Sequence, residues 1–229
     1  MREVVIRRFS PFIGLMALAI SANCFDVILD PAEVTKLLAE IGKFHQESKN
    51  LNALYEMGER VLDLTELMNK DLQSHGASDP TMIGLIVGKF KEYGITVTKD
   101  ASGYQYDLAA FHEYLRRAPA GKRASSARYV LIGFDEPGDD AGRLLKSIAD
   151  KERFIRDYPR FSEMSVVTFL LAQQHYRLGR VYASQKNQVL SDQQKKIAQD
   201  LYRQIVKLYP KSPEGEAAAD WLAQTGAAK

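Results

Sequence analysis

The stretch that decides the fold reads HYRLGRVY at residues 175–182, where the bulky His175 precedes a Leu-Gly pair and then an aromatic residue. The apolar residues recur three or four positions apart and so share one face of a helix, on which glycine leaves room for a second helix. A second motif follows at helical spacing and closes on a proline, which cannot continue a helix. The residues expected to be structural in this helix pair are Leu178, Gly179, Tyr182, Ala198, Tyr202, Ile205 and Pro210.

A shorter pattern recurs when Pro119, Pro159 and Pro210 are superposed. Five columns around these prolines are apolar in all three copies, at five and four residues before the proline and at eight, eleven and twelve after it. The columns are Tyr114, Phe154, Ile205; Leu115, Ile155, Val206; Ala127, Val167, Ala218; Val130, Leu170, Trp221; and Leu131, Leu171, Leu222. Because proline also pushes the preceding residue out of helical geometry, each copy predicts a helix, a corner and a second helix packed back on the first.

These motifs resemble a tetratricopeptide repeat, which has a Leu-Gly pair, an aromatic residue, an alanine and a closing proline at such positions. The Tyr-Pro corners at 158–159 and 209–210 also resemble those of exported bacterial proteins of the outer-membrane-assembly lipoprotein and cell-division-coordinator superfamily. The resemblance covers about residues 108–225 and implies stacked antiparallel helical hairpins, a tetratricopeptide-like α-solenoid. It also implies a non-catalytic scaffold that binds a protein or peptide of the cell envelope.

Two intervals are longer than a regular repeat allows. The three prolines lie 40 and 51 residues apart, and the stretch between Tyr182 and Ala198 is about seven residues too long. Extra residues in solenoids map to loops, so we expect loops at residues 134–141 and 184–191.

The beginning of the chain reads as an export signal. Arg2, Arg7 and Arg8 precede the apolar stretch PFIGLMALAISA at residues 11–22, which is too short to span a bilayer and ends in small residues. We therefore expect a signal peptide at 1–22, cleavage before Asn23 and a periplasmic or outer-membrane-associated protein. Residues 1–22 contain three Arg and one Glu, so the mature chain would keep 28 basic and 28 acidic residues of the 31 and 29 present. A balanced charge argues against a nucleic-acid partner.

Cys24 is the only cysteine, which excludes an internal disulfide. It lies close to the position at which bacterial lipoproteins are acylated, although Ser21 and Asn23 depart from the usual signal residues. Two alternatives stay open: a soluble exported protein, and a lipoprotein attached to the membrane only through Cys24.

Residues 23–107 match no family by motif and predict helices with one hairpin. Asp30-Pro31 is a helix start, a second helix covers about 50–73, and a third covers 81–93 and ends at Gly94. Strands at 95–98 and 104–107 alternate around a turn. The predicted organisation is a signal peptide at 1–22, an N-terminal helical region with a β-hairpin near 95–107 within 23–107, and a repeat region at 108–229.

Gln173, Tyr176 and Arg180 lie three or four residues apart on the helix at 166–184, so we expect them to line a partner-binding groove. The alternative is that a neighbouring helix covers this face.

No cofactor or metal is predicted, because His45, His75, His112 and His175 are scattered and no phosphate-binding loop occurs. Asp140, in an acidic loop, is expected to cap the next helix rather than bind calcium. The competing function is an envelope enzyme, a glycan-directed hydrolase whose carboxylates meet only in the fold.

Overall fold

The structure, a computed structural model, describes residues 28–75, 79–101, 103–133 and 138–226. The predicted signal peptide and Cys24 lie outside these residues. The described part is mostly helical, with one small antiparallel sheet, as expected. Its elements are α1 (Pro31–Gln46), α2 (Leu51–His75), α3 (Pro80–Glu92), β1 (Val97–Asp100), β2 (Gly103–Tyr106), α4 (Ala109–Arg117), α5 (Ala124–Gly133), α6 (Ala141–Asp157), α7 (Met164–Ser184), α8 (Gln188–Leu208) and α9 (Pro213–Gln224). None of the helices in the described ranges is long and apolar enough to cross a membrane.

The described residues fall into two compact units, an N-terminal unit (28–127) and a C-terminal unit (128–226), and the division lies within α5. In the N-terminal unit α2 is central, because α1, α4 and β2 all pack on it. Its Tyr55 is fully buried and meets Phe111 and Tyr114 of α4 edge-on, at ring distances of 5.3 and 5.7 Å. Edge-to-face contacts of this kind add to the apolar burial that holds α2 and α4 together.

The hairpin pairs Val97 with Tyr106 and Asp100 with Gly103. Its outer strand, β1, is mostly exposed, while Tyr104 and Tyr106 of β2 are buried. The side chain of Asn69 on α2 fixes the hairpin, since its Oδ1 accepts from the Tyr104 N–H (2.6 Å) and its Nδ2 donates to the Tyr104 carbonyl (2.8 Å). A two-stranded hairpin is only marginally stable in isolation, so its hydrogen bonds to and packing on α2 stabilise it.

All three proline corners have the same backbone. The residues before the prolines, Ala118, Tyr158 and Tyr209, have φ/ψ of −143/70°, −131/54° and −131/48°. Each donates its N–H to the carbonyl four residues back, which closes the last helical turn. The column eight residues after the proline is fully buried in every copy, at Ala127, Val167 and Ala218. The corners predicted from the sequence are therefore present.

In the C-terminal unit each helix from α6 to α9 packs on the next one along the chain, and α7 also touches α9. The prediction of a loop at residues 184–191 is wrong. Only residues 185–187 separate α7 from α8, which are 21 residues each, so the extra length has gone into helix. Lys186 makes the turn with a positive φ of 60°, and the Asn187 side chain accepts from the Leu190 N–H and starts α8 at once. Of the other expected loop, residues 134–137 are outside the described ranges.

Candidate partner-binding surface

Helix α7 places His175 and Gly179 against α8, whereas Leu178 packs in a cluster with Leu144 and Ile148 of α6. Leu178 and Gly179 are buried, and a Cβ added at Gly179 would lie 3.0 Å from the carbonyl oxygen of Ser191 on α8. His175 is also buried, with its Nδ1 2.7 Å from Oε1 of Gln194. The close approach of the two helices thus depends on the missing side chain at 179, and His175 makes a hydrogen bond between helices rather than facing solvent.

Except for Pro210, the remaining motif residues lie in or against the cores of the C-terminal unit. Ala198, Tyr202 and Ile205 form one cluster with Ala218 and Leu222 of α9. Tyr182 is partly buried and packs on a second cluster, around Leu144 and Leu178. Pro210 is exposed and forms the corner between α8 and α9.

The three predicted partner-binding residues differ in exposure, and Tyr176 packs against the cluster that contains Tyr202 of α8. Arg180 is exposed, whereas Gln173 and Tyr176 are partly exposed. The Tyr176 ring meets the ring of Trp221 on α9 edge-on, with centroids 5.2 Å apart. Helix α9 therefore covers part of this face, while Arg180 remains open to solvent.

Trp221 was missed as a site residue by sequence reasoning, which placed it only in an apolar column with Val130 and Leu170. It is the only tryptophan of the chain and is partly exposed. Its ring lies 4.4 Å from that of Tyr202, which in turn meets Phe169 at 5.5 Å. A large aromatic residue at a position occupied by aliphatic residues in the other copies was the available signal.

Two arginines of α7 lie near this surface, and the exposed Asp220 is the neighbour of Trp221 on α9. Arg177, one residue after Tyr176, forms an ion pair with Asp139 at 3.3 Å, and Asp139 is 80% exposed. Arg180 stands one turn from Tyr176 on the same helix. Burial, and then the neighbouring Tyr176, raises the pKa of Tyr202, so its hydroxyl stays neutral and the aromatic cluster carries no charge. We call the set Gln173, Tyr176, Arg180 and Trp221 the α7–α9 surface.

Two carboxylates lie close enough in the C-terminal unit to affect each other. Burial, and then the charge of Glu214, raises the pKa of Glu163. Glu163 stands at the N-terminus of α7 and Glu214 in the first turn of α9, where it accepts a hydrogen bond from the Ser165 hydroxyl (3.1 Å). A carboxylate near a helix N-terminus interacts favourably with the helix dipole and stabilises the helix. This effect is sufficient to explain the positions of Glu163 and Glu214.

His45 and His175 make structural contacts within the fold. His45 stacks on Tyr93 at 5.2 Å, and His112 is exposed. Within the ranges that the structure describes, no three His, Cys, Asp or Glu residues are grouped so that they could hold a metal ion. Asp140 caps α6 by accepting from the Arg143 N–H at 2.8 Å, which confirms that reading of the acidic loop for this residue.

Compared with known proteins, the chain matches no protein-family model and no curated protein sequence.

Proposed function

We propose that this protein is a non-catalytic scaffold of the cell envelope, which binds a protein or peptide on the α7–α9 surface. The observation that carries the proposal is the pair Tyr176 and Trp221, two partly exposed rings in edge-on contact with an exposed arginine one turn away. Tyrosine, tryptophan and arginine dominate the binding energy of protein interfaces. Here the two rings hold each other in place, so little side-chain entropy remains to be lost on binding.

A tetratricopeptide-like stacking of antiparallel hairpins is part of the proposal. It is supported by the equivalent corners at Pro159 and Pro210 and by the burial of Gly179 against α8. In such an array every second helix lines one face of the stack, and the contact between α7 and α9 is consistent with both helices sharing that face. A peptide laid across it would contact Tyr176 and Trp221 together.

Export, and attachment through Cys24, are proposed from the sequence of residues 1–24 only. Mass spectrometry of the protein purified from its native envelope distinguishes the two forms. A mature chain that begins at Asn23 supports the soluble form, and a diacylated N-terminal Cys24 supports the lipoprotein.

The binding proposal is tested by placing a photo-crosslinking amino acid at position 180 and irradiating intact cells. We expect one recurrent envelope protein to be captured, and the purified partner to bind about tenfold more weakly to Arg180→Ala, since one interface arginine commonly contributes more than 1 kcal/mol. The matched control is Arg153→Ala on α6, which removes an arginine that is 63% exposed.

Circular dichroism establishes that Arg180→Ala keeps the helix content of the wild type. A purified partner that binds wild type, Arg180→Ala and Arg153→Ala with equal affinity would remove the α7–α9 surface from the proposal. The conservative variant Trp221→Phe keeps an aromatic ring against Tyr176 and should retain most of the affinity.

The competing proposal is a glycan-directed hydrolase, favoured by the raised pKa of Glu163 next to Glu214. A carboxyl group whose pKa is raised keeps its proton to higher pH, which favours a role as general acid. The test is release of soluble fragments from purified peptidoglycan by the wild type and by Glu163→Gln. Fragment release by the wild type that the variant loses would establish the enzyme. If both proteins release no more fragments than heat-treated protein does, the hydrolase is excluded and the two carboxylates serve only at the helix termini.

A further inference from the structure

The N-terminal unit has an open pocket of about 400 Å³ lined by Asn52, Lys122, Arg123 and Ser126, which we call the Arg123 pocket. Its volume lies in the range of small-ligand sites. Two of the four lining side chains are cations, the other two carry an amide and a hydroxyl, and none is acidic or apolar. A pocket with this lining is suited to a small anion.

Arg123 is held in a defined position before any ligand arrives. Its guanidinium lies over the Tyr55 ring, 4.7 Å from the centroid, and its Nη2 donates to Oε1 of Glu56 at 2.5 Å. Its backbone N–H donates to the Tyr114 hydroxyl at 3.0 Å. Glu56 offsets one of the two positive charges, but it engages only one end of the guanidinium, whose remaining donors keep the fork geometry that binds oxyanions.

Lys122 supplies the second charge. It is exposed, and its ammonium has no ion-pair or hydrogen-bond partner among the residues that the structure describes. Among the described residues, Lys122 is therefore the unpaired cation of the pocket, beside an Arg123 that is paired with Glu56 and also interacts with the nearby carboxyl group of Glu59.

Two helices begin at this pocket. Asn52 lies in the first turn of α2 and Ser126 in the first turn of α5. The N–H groups of Asn52 and Ala124 are already bonded, to Oδ1 of Asn50 (2.8 Å) and to the Gly121 carbonyl (2.9 Å). The helix dipole is nevertheless positive at each of these ends, which adds to the side-chain charges and favours a bound anion.

The turn that leads into α5 packs tightly against the end of α4. A Cβ added at Gly121 would lie 2.7 Å from the Tyr114 hydroxyl and 2.9 Å from Cβ of Ala118. Glycine thus lets the chain pass close to Tyr114 and present Lys122 and Arg123 in succession at the pocket. Their spacing is set by backbone packing rather than by flexible loop residues.

From the two cations, the hydroxyl and amide groups and the two helix starts around one pocket, we infer that the Arg123 pocket binds a phosphate monoester group. A dianionic, tetrahedral phosphate can accept from Arg123, Lys122 and Ser126 at the same time, which a planar carboxylate does less well. The group can belong to a small soluble phosphate ester or to a lipid headgroup. This inference is independent of the α7–α9 surface.

The test uses the full mature chain with three probes: inorganic phosphate, glycerol 3-phosphate, and vesicles that contain phosphatidic acid in phosphatidylcholine. Calorimetry measures binding of the first two and co-sedimentation measures the third. We expect saturable binding of at least one probe, weakened roughly tenfold by Lys122→Ala, because a hydrogen bond to a charged group is lost. Lys91→Ala, which removes an exposed lysine of α3 in the same unit, should bind as the wild type does.

The probes separate the two sources of the phosphate group. Binding of glycerol 3-phosphate in solution assigns a soluble ester, and binding confined to the acidic vesicles assigns a lipid headgroup. Absence of saturable binding to all three probes, or equal loss in Lys122→Ala and Lys91→Ala, overturns the inference. Amide chemical shifts in NMR that move at residues 52 and 122–126 and saturate at the same concentration place the ligand in the pocket without any substitution.

Discussion

Replacing Gly215 by alanine should disrupt the corner between α8 and α9. Gly215 is the third residue of α9, and its N–H donates to the Ser212 side chain that caps the helix (3.0 Å). A Cβ added there would lie 2.0 Å from the carbonyl oxygen of Tyr209. Carbon and oxygen atoms that are not bonded to each other keep about 3.3 Å apart, so the backbone would have to move by about 1.3 Å.

The magnitude follows from three terms. Alanine improves helix propensity by about 1 kcal/mol relative to glycine. Against this, overpacking a rigid backbone contact costs about 3 kcal/mol, and loss of the Ser212 cap costs about 1 kcal/mol more. The net loss is about 3 kcal/mol, which lowers the midpoint of thermal unfolding of a unit of this size by roughly 12–24 °C.

Trp221 makes the assay selective, because it is the only tryptophan of the chain and lies on α9. Its fluorescence during heating or urea titration reports unfolding of the C-terminal unit, while circular dichroism reports all helices. The matched control is Gly142→Ala in the first turn of α6, where the added Cβ would meet only the Asp140 side chain at 3.3 Å. If Gly215→Ala keeps the same Trp221 unfolding midpoint as Gly142→Ala, the corner does not depend on glycine and the reasoning fails.

Three further predictions concern single side chains. Burial, as the largest cause, raises the pKa of Glu59 above its ordinary value of 4.5, so the folded state binds more protons and the free energy of unfolding falls as pH rises through that raised pKa. Glu59→Gln should flatten this fall when urea titrations are repeated across pH. The control is Glu66→Gln, at a residue paired with Lys70 on the same helix (2.8 Å), which should leave the fall unchanged. Parallel curves of unfolding free energy against pH for the wild type and Glu59→Gln would contradict the assignment. Gly88→Ala should raise the free energy of unfolding by about 0.5–1 kcal/mol, since nothing lies within 4 Å of the added Cβ, and a lower urea midpoint would show that this face of α3 is in fact covered. Ile205→Ala should cost about 2–5 kcal/mol because Ile205 is fully buried, while Leu208→Ala, at a side chain 54% exposed, should change stability by less than about 0.5 kcal/mol; similar losses for both would place Ile205 outside the core.

The corners were the features that sequence patterns predicted most directly. Proline removes an N–H and restricts the residue before it, so Pro159 and Pro210 end their helices wherever the rest of the chain lies. Asp30 and Asp140 likewise cap α1 and α6 through hydrogen bonds to residues two or three positions away. These are local effects, and they can be read from a few neighbouring residues.

The turn between α7 and α8 shows where such patterns failed. The repeat spacing predicted extra residues in a loop at 184–191, yet the chain turns within residues 185–187 and continues as helix. The repeat spacing gives only the number of residues between motif positions. It carries no information on the Asn187 cap or the His175–Gln194 hydrogen bond, which stabilise additional helix here. Here local capping and a contact between helices decided the outcome.

The sequence by itself determined the helical class, the hairpin, the corners and the face of α7 that carries Gln173, Tyr176 and Arg180, because each follows from spacing within one or two elements. Only the tertiary structure decided that Trp221 meets Tyr176, and that Arg123 pairs with Glu56 across 67 positions of sequence. The reason is physical: such contacts depend on how separate helices pack, and many packings are compatible with the same apolar spacing. Both candidate binding sites are built from contacts of this second kind.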